Sequence, residues 1–76
     1  MREKKSCIVL TFYTTAGAMA MEKRAGELGI PGRLLPAPRS ITSDCGIAWA
    51  SPIGERGRIE NAPGLPEIAG WWEREL

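Results

Sequence analysis

The chain is expected to fold as an α+β domain, an antiparallel sheet with its helices on one face. Three features lead there. Residues 7–13 (CIVLTFY) are a run of β-branched and aromatic side chains of strand length. Residues 15–28 follow with apolar side chains at helical spacing. Two shorter apolar stretches, 32–35 and 46–50, are bounded by proline or glycine and read as further strands.

Taken in order, the first strand alternates. Ile8, Leu10 and Phe12 share one face, and Cys7, Val9, Thr11 and Tyr13 share the other. Thr14 or Thr15 caps a helix of ordinary length, about 13–14 residues. Ala18, Met21, Ala25 and Leu28 would pack it on the sheet, while Glu22, Lys23, Arg24 and Glu27 lie outward. Gly29 is a good left-handed stop, and Ile30-Pro31 ends the helix. The strand at 32–35 is closed by Pro36 and Pro38, which cannot continue a ladder, so it belongs at a sheet edge. In the third strand Ile47 and Trp49 should face the core, with Ala48 and Ala50 behind them. Residues 51–62 carry Pro52, Gly54 and Gly57 among charges and read as a loop. Residues 63–76 read as a second helix, with Pro66 in its first turn and Leu65, Ile68, Trp72 and Leu76 as its stripe; Gly70 counts against it.

The order β-α-β-β-α, with a right-handed crossover, gives a truncated ferredoxin-like sandwich. Its first strand would keep one bare edge, which invites a homodimer. Val9, Thr11, Tyr13, Ala48 and Ala50 would line the helix-free face.

Composition limits the function. The chain has 76 residues and reads as one small domain, with residues 1–6 a frayed tail. A formal net charge of +1 supplies no field for nucleic acid. No run approaches the roughly 20 apolar residues that cross a bilayer, and the apolar stretch near the start is too short and polar-flanked for a signal peptide. A cytoplasmic protein is expected, with its thiols reduced. Histidine is absent, which excludes Ser-His-Asp and Cys-His catalysis and the commonest metal ligand. The two cysteines lack the paired spacing of a zinc site. Neither a metal nor an organic cofactor is expected.

The chemistry concentrates at residues 39–50, where a polar, proline-led loop runs into Cys45, then Gly46, then a strand. In the expected topology Cys45 lies beside Thr14, Thr15 and the first amides of the helix, a place that favours an anion. A thiolate or persulfide there would be stabilised. Thr14, Thr15, Arg39, Ser43 and Gly46 are the candidate anion-stabilising residues, with Ser40 and Thr42 as further donors, while Asp44 acts against them. The competing reading makes Cys45 a small buried hydrophobe. Cys7, at the opposite end of antiparallel neighbours, is roughly 20 Å from it, beyond disulfide reach, and reads as packing.

Val9-Leu10-Thr11-Phe12 followed by Thr14-Thr15, Gly29-Ile30-Pro31 with Arg33-Leu34, Pro36-Ala37-Pro38-Arg39 and above all Ser43-Asp44-Cys45-Gly46-Ile47-Ala48 resemble a small bacterial family of selenium/sulfur carrier-like proteins. The resemblance covers roughly residues 8–50. Members continue through a helix into another strand, and the segment from Ser51 onward is a poor match. The resemblance implies that Cys45 carries terminal sulfur or selenium as a persulfide or selenosulfide. A donor such as a cysteine desulfurase would load it and an acceptor protein would unload it, with no turnover of its own. The alternative is a ferredoxin-like module that dimerises or binds a partner or small molecule, with Cys45 as packing and Trp49, Trp71 and Trp72 at the interface. RNA binding on the sheet is disfavoured, since Tyr13 stands without a basic surround.

Overall fold

The computed structural model describes residues 5–41 and 45–75. Its elements in chain order are β1 (Ser6–Phe12), α1 (Thr15–Leu28), β2 (Arg33–Pro36), β3 (Ile47–Pro52), a 3-10 turn at Ile53–Glu55, α2 (Arg56–Glu60) and β4 (Ile68–Glu75). The strands form one antiparallel sheet in the order β2-β3-β1-β4. The expected α+β ferredoxin-like class is present. The expected truncation is not, because a fourth strand lies beside the first.

β1 holds the centre. Ile8, Val9, Leu10, Thr11 and Phe12 are all buried, so both faces of the strand are covered. Each such large apolar side chain contributes about 1.5–3 kcal/mol by leaving water. Its two edges are paired as well, with β3 from Cys7 opposite Pro52 to Thr11 opposite Ala48, and with β4 from Ser6 opposite Glu75. Ser6 therefore belongs to the sheet and not to a frayed tail; residues 1–4 lie outside the described residues.

α1 starts where Thr14, in extended conformation, accepts a hydrogen bond on Oγ1 from the Gly17 amide at 3.0 Å. Ala18, Met21 and Ala25 are buried against the sheet, as their spacing predicts. Gly29 ends the helix in left-handed conformation, its amide bonded to the Ala25 and Gly26 carbonyls. Arg58 adds a second closure, donating to the carbonyls of Leu28 at 3.1 Å and Gly29 at 3.4 Å. It comes from α2, which occupies the stretch that reads as a loop in the sequence. Arg56 of the same helix bonds Glu60 and Glu73 and stacks on Trp71, 6.0 Å from the ring centre. Its guanidinium is held above its ordinary range chiefly by Glu60.

The segment expected as a second helix is β4. Its burial alternates residue by residue, with Ile68, Gly70, Trp72 and Arg74 the more covered set. The residues that mimic a helical stripe divide between the two faces of the sheet: Leu65 and Ile68 pack with Ile8, Leu10 and Phe12, whereas Trp72 packs with Val9. One helix stripe cannot do both. A register shift between Thr11 and Phe12 brings Ile68 opposite Phe12. Gly70, opposite Thr11, is required by space: a Cβ there would lie 2.8 Å from Trp72 Nε1 and 3.0 Å from Thr11 Oγ1. That crowding accounts for a glycine in mid-strand.

The bare edge that points to a homodimer in the sequence is absent, since β4 pairs with β1. On the helix-free face Val9, Thr11, Ala48 and Ala50 are buried, and Tyr13 is exposed. Residues 37–41 cross it and bury Ile41 against Val9, Ala48 and Ala50. On the helix side, Trp49 is fully buried with Phe12, Ile8, Leu10 and Met21. Among the described residues its Nε1 has no hydrogen-bond partner, which costs about 1–3 kcal/mol against this burial.

Candidate functional site

Cys45 stands immediately before β3, at the end of the sheet where β1 hands over to α1. The register decides this. Thr11 is opposite Ala48, so Tyr13, Thr14 and Thr15 leave the sheet at the end where Gly46 and Cys45 enter it. On the other side of β3, Pro36 is opposite Ile47, and the Ala37 amide donates to the Gly46 carbonyl at 3.0 Å. Gly46 is exposed with φ 74°. Cys45 is half-buried and packs against the core cluster that includes Phe12 and Ala18, and its thiol donates to the Ile47 carbonyl at 3.4 Å. It is neither sealed among aliphatic side chains nor displayed on a bare loop. A thiolate has no proton to donate, so in nucleophilic form the side chain gives up that carbonyl.

The first turn of α1 faces the same end. Thr14 Oγ1 is already engaged by the Gly17 amide, and the Ala18 amide donates to the Thr14 carbonyl at 3.2 Å. The amides of Thr15 and Ala16 precede any helix carbonyl that could receive them. Thr14 and Thr15 are exposed. Arg39 is exposed in the turn closed by the Ile41 amide on the Pro38 carbonyl at 2.9 Å. Among the described residues no hydrogen bond joins Arg39 to Thr14 or Thr15. Ser43, Thr42 and Asp44 lie outside the described residues. The candidates thus separate: Cys45, Gly46, Thr14 and Thr15 share one end of the sheet, while Arg39 belongs to the segment over the helix-free face.

Cys7 is at the far end of the β1–β3 pair, opposite Pro52. It is half-buried, its thiol bonded to the Lys5 carbonyl at 3.5 Å, and it lines a cavity of about 290 Å³ with Gly32, Arg33, Ala50, Ser51 and Pro52. The two thiols occupy opposite ends of the sheet.

With this geometry in place, residues 7–63 match the model of the family described as "Putative Se/S carrier protein-like". This chain belongs to that family. The match runs past the residue 50 limit of the sequence resemblance and takes in all of α2. β4 lies beyond the matched residues. The curated proteins and the solved structures yield no significant match. No helix among the described residues is long and apolar enough to cross a membrane.

Sequence reasoning misses the contacts that hold residues 37–41 on the helix-free face. Arg74 of β4 donates through Nε to Ser40 Oγ at 3.1 Å and through a terminal nitrogen to the Ser40 carbonyl at 3.4 Å. The same guanidinium lies 5.5 Å from the Trp72 ring centre. The one signal for it is Ile41, a lone aliphatic residue in a polar loop, since such a residue seeks cover.

Proposed function

We propose that this chain is a cytoplasmic carrier of sulfur or selenium that holds the terminal atom on Cys45 and passes it between partner proteins. Membership of the selenium/sulfur carrier family is the observation that carries the reading. The position of Cys45 supports it: a half-buried thiol at a loop-to-strand junction, at the end of the sheet where α1 begins.

The transfer is a thiol exchange. The Cys45 thiolate attacks the outer sulfur of a persulfide on a donor such as a cysteine desulfurase. A sulfur–sulfur bond to Cys45 forms as the bond to the donor's cysteine breaks, and the donor leaves as a thiolate. An acceptor thiolate then repeats the exchange on the terminal atom. With selenium the same steps pass through a selenosulfide. Oxidation level is conserved at each step, so the exchange needs only access, a thiolate and stabilisation of the terminal anion. Amides at the start of α1, with Thr14, Thr15 and Gly46, are the groups we assign to that anion.

Incubation with a cysteine desulfurase and cysteine, followed by mass spectrometry of the intact protein, tests the reading. The native chain and Cys7→Ser should each gain one sulfur atom, and Cys45→Ser should gain none. Equal loading of Cys45→Ser and the native chain would end the proposal.

A further inference from the structure

The cavity of about 290 Å³ beside Cys7 opens on the helix-free face, at the opposite end of the sheet from Cys45. Pairing decides the face. Cys7 is opposite Pro52, Val9 is opposite Ala50, and Arg33 is opposite Ala50 on the other side of β3. Side chains paired across antiparallel strands lie on the same face, so Cys7, Arg33, Ala50 and Pro52 surround one space. The Ser51 hydroxyl donates to the Pro31 carbonyl at 2.6 Å, which ties the chain just ahead of Arg33 to β3 and fixes that wall. Charge is uneven around it. Arg24, Arg56 and Arg58 each pair with a carboxylate, and Arg74 bonds Ser40. Arg33 is exposed and makes no hydrogen bond or ion pair among the described residues. Arg74, opposite Cys7, shares its face, whereas Glu73 and Glu75 are opposite Ile8 and Ser6 on the helix side. No strand residue of the helix-free face carries a carboxylate.

We infer that this cavity is a binding site for a small organic carboxylate. The carboxylate pairs with the Arg33 guanidinium, whose planar fork matches it, and a short aliphatic body lies on Pro52, Ala50 and the Cys7 side chain. Complementary charge selects the occupant: the only ionic groups that the strands present on this face are guanidinium groups, and the rest of the lining is mostly apolar. At about 290 Å³ the space is at the small end of ligand sites, which limits the occupant to a short chain. The inference does not depend on what Cys45 carries.

Butyrate is the probe and the Cys7 thiol the reporter, in the full chain carrying Cys45→Ser, where Cys7 is the only thiol. Butyrate should slow alkylation of Cys7 by iodoacetamide to a plateau, with half its effect at about 1–10 mM, the range open to so small a ligand. Butyramide has the same shape without the charge and should need about tenfold more to do the same. Protection is read as the ratio of rates with and without the probe, so a change in the reactivity of the thiol itself cancels. Arg33→Gln should reduce butyrate to the level of butyramide. Arg33→Lys keeps the charge but loses the fork, and should fall between them. Arg33 is exposed, so the urea midpoint of both variants should match that of the parent chain. Equal protection by butyrate and butyramide would overturn the inference, because apolar contact alone would explain it. Sulfate protecting as well as butyrate would also overturn it, leaving a surface charge with no seat for a carbon chain. So would full protection by butyrate in Arg33→Gln, or none in the parent chain well above that concentration range. Alkylation that slows as protein concentration rises, with no butyrate present, would give the cavity to a second copy of the chain and end the proposal.

Discussion

The two faces of the sheet come from the same strands and differ in what covers them. Toward α1 the strands present Ile8, Leu10, Phe12 and Trp49, large side chains that meet Ala18, Met21 and Ala25 of a 14-residue helix. On the helix-free side they present Val9, Ala48 and Ala50, which are smaller, and the cover is residues 37–41 with Ile41 inserted and Trp72 alongside. Smaller residues let that segment lie close to the strands. They also limit the apolar area it can bury, and so the free energy that keeps it down. One face is a core closed by a helix, and the other is closed by a short segment. Cys45 packs on the helix side, against the core.

The largest test of that contrast is Phe12→Ala. Phe12 is fully buried at the centre of the helix-side cluster, and truncation leaves a cavity that a packed helix cannot collapse into. A loss of about 3–5 kcal/mol is expected, read as a lower urea midpoint with an unchanged slope. A loss below about 1 kcal/mol would mean that this face repacks freely, and the division into core and closure would not hold.

How much of this is legible in the sequence follows the same contrast. Local signals give the helix-side layer. Strand alternation places Ile8, Leu10 and Phe12 together, helical spacing chooses Ala18, Met21 and Ala25, and Pro36 assigns β2 to an edge; all three appear in the structure. The last strand reads as a helix because Leu65, Ile68 and Trp72 coincide with helical spacing, and period alone cannot arbitrate so few residues. A stronger signal is present in β1. An unbroken run from Ile8 to Phe12 suits a strand buried on both faces, and such a strand needs neighbours on both edges. The end of the sheet that holds Cys45 follows from antiparallel pairing. The placement of residues 37–41 does not, because it joins Ser40 to Arg74, 34 residues away, and no local pattern encodes that meeting.

Ile41→Ala measures the closure directly. Ile41 is 5% exposed and is the only large aliphatic residue among residues 37–41, but its surroundings can settle after truncation. The expected cost is about 2 kcal/mol, the low end for such a change. The same denaturation experiment should therefore separate it clearly from Phe12→Ala. If the two variants lose the same stability, the helix-free side is a second core.

The smallest effect distinguishes the two duties of Thr14. Its Oγ1 accepts the Gly17 amide, so Thr14→Ala removes a helix cap and should cost about 1 kcal/mol, with Thr14→Ser restoring most of it. Both numbers come from urea midpoints. The sulfur-loading rate adds what stability cannot. A hydroxyl that only caps can be lost without slowing the loading of Cys45 under conditions where the variant stays folded. A hydroxyl that also donates to the terminal sulfur cannot, and there Thr14→Ser should recover both rate and stability. Loading that slows in Thr14→Ala and returns in Thr14→Ser would extend the anion site to this side chain. Loading that ignores both would leave the anion to the backbone amides of Thr15 and Ala16, the donors that the helix start cannot satisfy for itself.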